Sequence, residues 1–184
     1  MNKDLDVTND FIFKAIFGKK GNEEILKSLL EAILNLSINQ VEIIENTKLA
    51  QEFQKQKLGI LDIRAKLQDG TKINIEMQVV NKHDILERTL FYWSKLYIED
   101  VKQGDDYKDL AKTININILK YNFLPKDEYC LSSHLYYDKY KEEVLTNKLE
   151  IYLIDLIKFK KLVKKVDNRL IAWLSFIEGA TKKW

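Results

Sequence analysis

The sequence contains very little cysteine, proline, histidine or continuous apolar sequence, and each shortage excludes a class of protein. Cys130 is the single cysteine, so no internal disulfide can form and a reducing cytoplasm fits the chain. The two histidines, His83 and His134, are too far apart in sequence to suggest a zinc site. No stretch reaches the roughly 18 apolar residues of a membrane span. Residues 1–6 lack the apolar region of a signal peptide. We expect a cytoplasmic protein that does not enter a membrane.

The composition that is present describes an ordinary globular protein. The chain has 184 residues, of which 46% are hydrophobic and 32% charged, which is enough for one domain with a core. The net charge of +2 is too small to indicate nucleic-acid binding by itself. A basic stretch with five lysines, Lys158 to Lys165, suits either a solvated helix face or contact with a DNA backbone. With no repeat and no linker, we expect residues 1–184 to form a single domain.

Hydrophobic periodicity predicts a chain in which helices and strands alternate. Helices are predicted at Phe11–Phe17, Glu23–Leu36, Asp84–Gln103, Lys158–Val163 and Arg169–Glu178. Asn9 or Asp10 is the expected cap of the first helix. The predicted buried face of the second helix contains Ile25, Leu29, Ile33 and Leu36, and that of the third contains Ile85, Leu86, Leu90, Trp93, Leu96, Tyr97 and Val101. Strands are predicted at Val41–Leu49, in both arms of residues 60–80, and at Lys112–Tyr121, Tyr129–Tyr137 and Leu149–Asp155. The order α-β-β-β-α-β places the chain in the α/β (α+β) class, with a mixed central sheet flanked by helices.

Residues 60–80 form a predicted β-hairpin whose register can be derived from its apolar face. Both arms alternate with period two, as half-buried strands do. A three-residue loop ending at Gly70 pairs Leu67 with Thr71 and Ile63 with Ile75, so the two apolar faces coincide. Such loops favour a residue with positive φ at the position that Gly70 occupies.

In that register Asp62 lies directly opposite Glu76 on the polar face. Their Cβ atoms would be about 4.5–5.5 Å apart, and like charges in such a pair destabilise a sheet. A divalent cation would compensate for this repulsion, because hard ions such as Mg²⁺ bind carboxylate oxygens and keep water ligands that can react. The alternative is a pair of solvated surface carboxylates whose mutual repulsion is reduced by neighbouring lysines.

Several ordered motifs extend over about residues 4–160. They are Asn9-Asp10-Phe11-Ile12-Phe13-Lys14 with Ile16-Phe17-Gly18, then Glu76-Met77-Gln78-Val79, then Glu87-Arg88, Tyr92, Lys95-Leu96-Tyr97, Gly104-Asp105-Asp106-Tyr107 and Leu110, and finally Ile114-Asn115-Ile116-Asn117-Ile118-Leu119. As an ordered set, these motifs resemble the recombination-promoting nuclease (transposase) branch of the PD-(D/E)XK nuclease superfamily.

The resemblance implies a restriction-endonuclease-like core and Mg²⁺-dependent hydrolysis of DNA phosphodiester bonds, with Mn²⁺ as an alternative ion. It implies a link to DNA recombination or mobile elements. Asp62 and Glu76 become the metal ligands, and the backbone carbonyl of Met77 adds a third. Asp62, Glu76 and Gln78 become the catalytic set. A homodimer would suit cutting of both strands. Asp10 matches an N-terminal acidic position that either approaches the metal or caps a helix.

Gln78 departs from the superfamily pattern, which has a lysine two residues after the glutamate. Glutamine can orient a water molecule but brings no charge. This branch resembles the version of the superfamily motif that carries glutamine at this position, so Gln78 does not imply inactivation. The general base stays unassigned. Arg64 or Lys66, on the same face of the hairpin, could supply part of the missing charge or could simply contact phosphate or solvent.

Two further points are left open by the sequence. Arg88 and Tyr92 share a helix face, and they either face the site or serve structure, with Tyr92 packed on the sheet and Arg88 paired with Asp84 or Glu87. We favour the structural interpretation. Members of the branch commonly continue with a further helical region, which this chain would lack. The alternative to a nuclease is therefore a catalytically silent nuclease-fold module that binds DNA or protein.

Overall fold

The computed structural model of the protein describes residues 6–44, 63–139, 142–163, 165 and 168–179. Its helices are α1 (Asp10–Phe17), α2 (Glu23–Leu34), α3 (Ile85–Tyr97), α4 (Leu156–Leu162) and α5 (Arg169–Glu178). Its strands are β1 (Val41–Ile43), β2 (Ile63–Leu67), β3 (Lys72–Gln78), β4 (Thr113–Leu119), β5 (Cys130–Tyr136) and β6 (Val144–Asp155). Among these described helices, none combines the length and the hydropathy that a bilayer-spanning helix needs.

The described strands form one mixed sheet in the order β1-β2-β3-β4-β6-β5. The pairs β1–β2, β2–β3 and β5–β6 are antiparallel, whereas β3–β4 and β4–β6 are parallel. A parallel pair needs a crossover connection, and α3 supplies it between β3 and β4. The predicted α/β class, with a mixed sheet flanked by helices, is confirmed.

The predicted register of the β2–β3 hairpin is also confirmed. Ile63 pairs with Ile75, and the Leu67 amide donates a 2.9 Å hydrogen bond to the Thr71 carbonyl. Gly70 has a φ of +88°, the conformation that the three-residue loop requires. Asp62, the other half of the predicted carboxylate pair, lies outside the described residues.

One face of the sheet carries the larger apolar core. Alternate residues of β2, β3 and β4 point into it, and α1, α2, α4 and α5 cover it. Phe13 and Phe17 of α1 are fully buried there. Their rings lie 5.0 Å apart. The strand residues that share this core are Ile63, Ala65, Ile73, Ile75, Met77, Ile114, Ile116 and Ile118.

The opposite face is covered by α3, which the sequence did not predict. The hairpin was expected to be half-buried, but every residue of β3 from Lys72 to Met77 and every residue of β4 is buried. Periodicity shows which residues share a face, but it cannot show that a helix will pack over the polar face as well. A second apolar cluster, containing Ile85, Leu119 and Leu153, lies between α3 and the ends of β4 and β6.

Two predicted helices are shorter than expected, and their buried stripes differ from the predicted ones. α2 ends at Leu34 and α3 at Tyr97, rather than near Leu36 and Gln103. The buried stripe of α2 is Leu26, Leu29, Leu30, Ile33 and Leu34, and that of α3 is Ile85, Thr89, Tyr92 and Leu96. Four residues expected to be buried, Ile25, Leu36, Leu86 and Leu90, are exposed. Because α3 packs on polar strand residues, its buried stripe includes a threonine that an apolar pattern does not identify.

Candidate functional site

A buried carboxylate, Glu76, lies on β3 beneath α3. Its side chain is only 3% exposed, and both of its oxygens accept hydrogen bonds from neighbours on the same strand face. Asn74 donates from Nδ2 to Oε1 at 3.1 Å, and Gln78 donates from Nε2 to Oε2 at 2.8 Å. The period-two geometry of a strand places these three side chains in a row, since residues i, i+2 and i+4 line one face. Glu76 and Gln78 are therefore brought together as predicted.

Arg88 of α3 completes this cluster from above. Its Nη2 lies 3.6 Å from Glu76 Oε2, and its Nη1 donates a 3.1 Å hydrogen bond to Gln78 Oε1. The guanidinium also lies 5.6 Å from the centre of the Tyr92 ring. Tyr92 is buried against the sheet, as the structural interpretation proposed, whereas Arg88 faces Glu76 rather than pairing with Asp84 or Glu87. The sequence signal for this position was a charged residue three positions after Ile85 and four before Tyr92, at the border of the buried stripe.

Burial raises the pKa of Glu76, because the charged form loses hydration beneath α3. The hydrogen bond from Asn74, the charge of Arg88, the hydrogen bond from Gln78 and the charge of Lys14 oppose this rise only in part. Partial burial lowers the pKa of Arg88, yet the combined effect of Glu76, Tyr92 and Asp84 raises it overall. The guanidinium therefore stays charged. Among the described residues, it is the cation in ion-pair distance of the buried Glu76 carboxylate.

A layer of buried asparagines continues from Glu76 along the polar face. Asn74, Asn115 and Asn117 are each at most 1% exposed. Asn115 donates from Nδ2 to the Thr89 carbonyl at 3.1 Å, and the Thr89 hydroxyl donates to Asn117 Oδ1 at 3.3 Å. Within the described parts of the chain, Asn74 Oδ1, Asn115 Oδ1 and Asn117 Nδ2 have no hydrogen-bond partner. Because buried unpaired polar atoms cost stability, this layer is not optimised for folding alone.

The two hairpin cations expected as charge donors do not lie with Glu76. Arg64 forms an ion pair with Glu99, just beyond the end of α3. Lys66 is exposed, and its register partner on β3 is Lys72, which lies four residues before Glu76. Lys72 in turn contacts Asp100 at 2.9 Å. These cations hold the far end of the helix layer to the sheet.

The N-terminal segment reaches the other end of the site. The Lys120 amide donates to the Gln78 carbonyl at 2.9 Å, and Lys120 Nζ contacts Thr8 Oγ1 at 2.5 Å and Asp6 Oδ2 at 3.2 Å. Asn9, one of the two predicted caps, accepts the capping hydrogen bonds of α1. The other, Asp10, is exposed and lies 3.5 Å from Lys14 Nζ, so it does not cap α1. Lys14 is one of the charges that act on Glu76, and the approach of Asp10 to a metal stays a prediction.

The donor chemistry at Glu76 fits a hard divalent cation. A carboxylate offers about four lone-pair sites, and the three neighbouring donors leave capacity for an ion. The Met77 side chain is buried in the apolar core on the other face, so Met77 could contribute a metal ligand only through its backbone carbonyl. No cluster of three or more acidic, histidine or cysteine side chains suited to a metal occurs in the described ranges, which do not include Asp62.

Comparison with protein families identifies the family of the chain. The family described as PD-(D/E)XK nuclease family transposase matches residues 7–183. The chain belongs to this family. Comparison with curated proteins and with solved structures gives no match. Family membership supports a nuclease-related function and implies DNA as the substrate, and PD-(D/E)XK nucleases generally use divalent metal ions.

Proposed function

We propose that the protein is a metal-dependent DNA endonuclease that hydrolyses phosphodiester bonds with Mg²⁺, or with Mn²⁺ in its place. The observation that carries the proposal is Glu76, a carboxylate that is 3% exposed and held by hydrogen bonds from Asn74 and Gln78 in a chain of the nuclease family. Proteins rarely bury an acid so deeply without a charge partner or a task, because the cost of desolvation is large.

Asp62 and Glu76 would hold the ion, and the Met77 carbonyl would complete the protein ligands. When bound, a divalent ion polarises the scissile phosphate and lowers the pKa of an attacking water. Gln78 has a defined orientation, since its Nε2 donates to Glu76 and its Oε1 accepts from Arg88. We assign Gln78 the task of orienting the attacking water relative to the phosphate, which provides acceleration through positioning.

The wider setting follows from the family and is part of the same proposal. We infer a role in DNA recombination or in mobile elements, in the cytoplasm, for a single domain over residues 1–184. A homodimer would place two such sites on opposite DNA strands.

The test is cleavage of supercoiled plasmid with Mg²⁺ or Mn²⁺ by the parent and by Asp62→Asn and Glu76→Gln. Both substitutions keep the side-chain shape and remove the charge that binds the ion. We expect nicking or linearisation by the parent, abolition by EDTA, and a loss of at least about 100-fold in each variant. Disturbing the partners of metal ligands already costs 10–100-fold in such sites.

Glu24→Gln is the matched control, because Glu24 lies on α2, across the sheet from the site, with an 87% exposed side chain. This variant should cleave like the parent. A folded parent that never cleaves would favour the silent DNA- or protein-binding module. Cleavage that survives in both Asp62→Asn and Glu76→Gln would show that the site is wrong.

A further inference from the structure

We propose that Arg88 is the residue that binds the scissile phosphate and supplies the positive charge that β3 itself does not provide. This inference rests on the proposed nuclease function. Phosphodiester cleavage adds negative charge to the phosphate, and a fixed cation beside it stabilises the transition state. Among the described hairpin cations, Arg64 and Lys72 are committed to Glu99 and Asp100. Arg88 contacts both Glu76 and Gln78.

The guanidinium group is suited to bridging protein and phosphate. It presents five N–H donors in a planar fork. The contacts with Glu76 and Gln78 involve Nη2 and Nη1, and a further side-chain hydrogen bond joins Arg88 to Tyr92, so these three neighbours do not occupy all five donors. The side chain is 27% exposed, so part of it reaches solvent although Glu76 does not. Arginine matches phosphate oxygens with two parallel hydrogen bonds, which lysine cannot reproduce.

The position of Arg88 is held by structure and not by chance. It lies on α3 between Ile85 and Tyr92, which are both buried, and its guanidinium is placed over the Tyr92 ring. The hydrogen bond to Gln78 Oε1 also fixes which way that amide faces. Arg88 therefore connects three groups of the proposed reaction: the carboxylate that holds the ion, the amide that orients water, and the phosphate.

The first measurement is binding of a duplex oligonucleotide in EDTA over a range of salt concentrations. Each phosphate contact contributes about 0.9 to the slope of log K against log salt. We expect Arg88→Gln to lower that slope by about one contact and Arg88→Lys to retain it. If Arg88 only neutralised Glu76, the slope would be unchanged in Arg88→Gln, which would overturn the proposal.

The second measurement is single-turnover cleavage with Mg²⁺. We expect Arg88→Gln to lose about 100-fold or more, as for the loss of one preorganised donor at a developing charge. Arg88→Lys should retain more activity than Arg88→Gln, because the charge survives without the fork. Adding Gln78→Lys to Arg88→Gln should restore at least about 10-fold, since a cation is returned to the same side of Glu76.

Arg169→Gln is the matched control. Arg169 is 60% exposed and contacts Glu31 of α2, across the sheet from Arg88. It should change neither the salt slope nor the cleavage rate. A parent that binds DNA without cleaving it would contradict the nuclease proposal while leaving the salt-slope test of Arg88 in force. A parent that does not bind duplex DNA would overturn both. Circular dichroism and thermal melting of each variant exclude unfolding as the cause.

Discussion

The two faces of β3 and β4 differ in chemistry although the same backbone builds both. One face is made of isoleucines such as Ile75 and Ile116, packed under four helices. The other carries Asn74, Glu76 and Asn117 under α3, equally buried. Apolar burial on the first face stabilises the fold, whereas burial of polar groups on the second costs stability unless each group is paired. The comparison indicates that the first face supports the structure and that the second is retained for a site.

The largest expected effect on stability comes from the apolar face. Ile116→Ala should lower the free energy of unfolding by about 2–5 kcal/mol, because Ile116 is fully buried and the cavity cannot collapse. Urea denaturation measures the change. Ile116→Val should cost only about 0.5–1.5 kcal/mol. Equal effects of the two substitutions would show that the face is loosely packed.

The second effect concerns the ion pair between Arg64 and Glu99, whose side chains are 7% and 17% exposed. Arg64→Gln or Glu99→Gln alone should cost about 2–3 kcal/mol, somewhat less than a fully buried pair, because one charge is left unpaired. Combining Arg64→Met with Glu99→Leu should cost less than either single change. Asp106→Asn is the control, since Asp106 and its partner Lys108 are 64% and 74% exposed and their contact should be worth less than about 1 kcal/mol. Additive single effects in the double variant would contradict the ion-pair interpretation.

The third prediction is an increase in stability, in contrast to the first two, because removing the charge of Glu76 should stabilise the protein. Burial raises the pKa of Glu76, so the folded state binds its proton more tightly than the unfolded chain does. Stability attributable to Glu76 is therefore greatest below the ordinary value of 4.5 and is lost as pH rises through the higher folded pKa.

In EDTA, Glu76→Gln should thus melt a few degrees above the parent at pH 8, since about 1 kcal/mol shifts Tm by roughly 2–4 °C in a domain of this size. The difference should shrink on acidification toward pH 5. Added Mg²⁺ should raise the Tm of the parent more than that of Glu76→Gln. A variant that melts lower than the parent at every pH would mean that the Glu76 carboxylate is a net stabilising group.

The smallest effect is expected within the asparagine layer. Asn115→Leu keeps the branching of the side chain and removes an Oδ1 that has no partner among the described residues. Its lost bond to the Thr89 carbonyl is offset by the removal of a buried unpaired atom, so the unfolding free energy should change by less than about 1 kcal/mol. Asn115→Asp is the contrasting variant, because it buries a charge opposite Asn74 and should be clearly destabilising. A large loss in Asn115→Leu would indicate that the amide is fully satisfied.

Sequence reasoning succeeded where the decisive interactions are local. The loop at Gly70 and the pairing of Ile63 with Ile75 followed from alternation and from turn geometry. The proximity of Glu76 and Gln78 followed from the two-residue strand period. It failed at Arg88, because the residue that a helix side chain contacts depends on how the helix crosses the sheet. The same limit explains the incorrect stripe of α3, which includes Thr89 in place of Leu86 and Leu90.

The order of the elements, the register of the hairpin and the family could be inferred from the sequence, because these depend on neighbours along the chain and on ordered motifs. The burial of the polar face and the contacts of Arg88 with Glu76 and Gln78 became visible in the folded chain. They arise because α3 returns across the sheet between two parallel strands, and the rotation of a helix about its axis is set by packing on the whole face. That packing turned three polar residues of one strand into a desolvated, charge-compensated site.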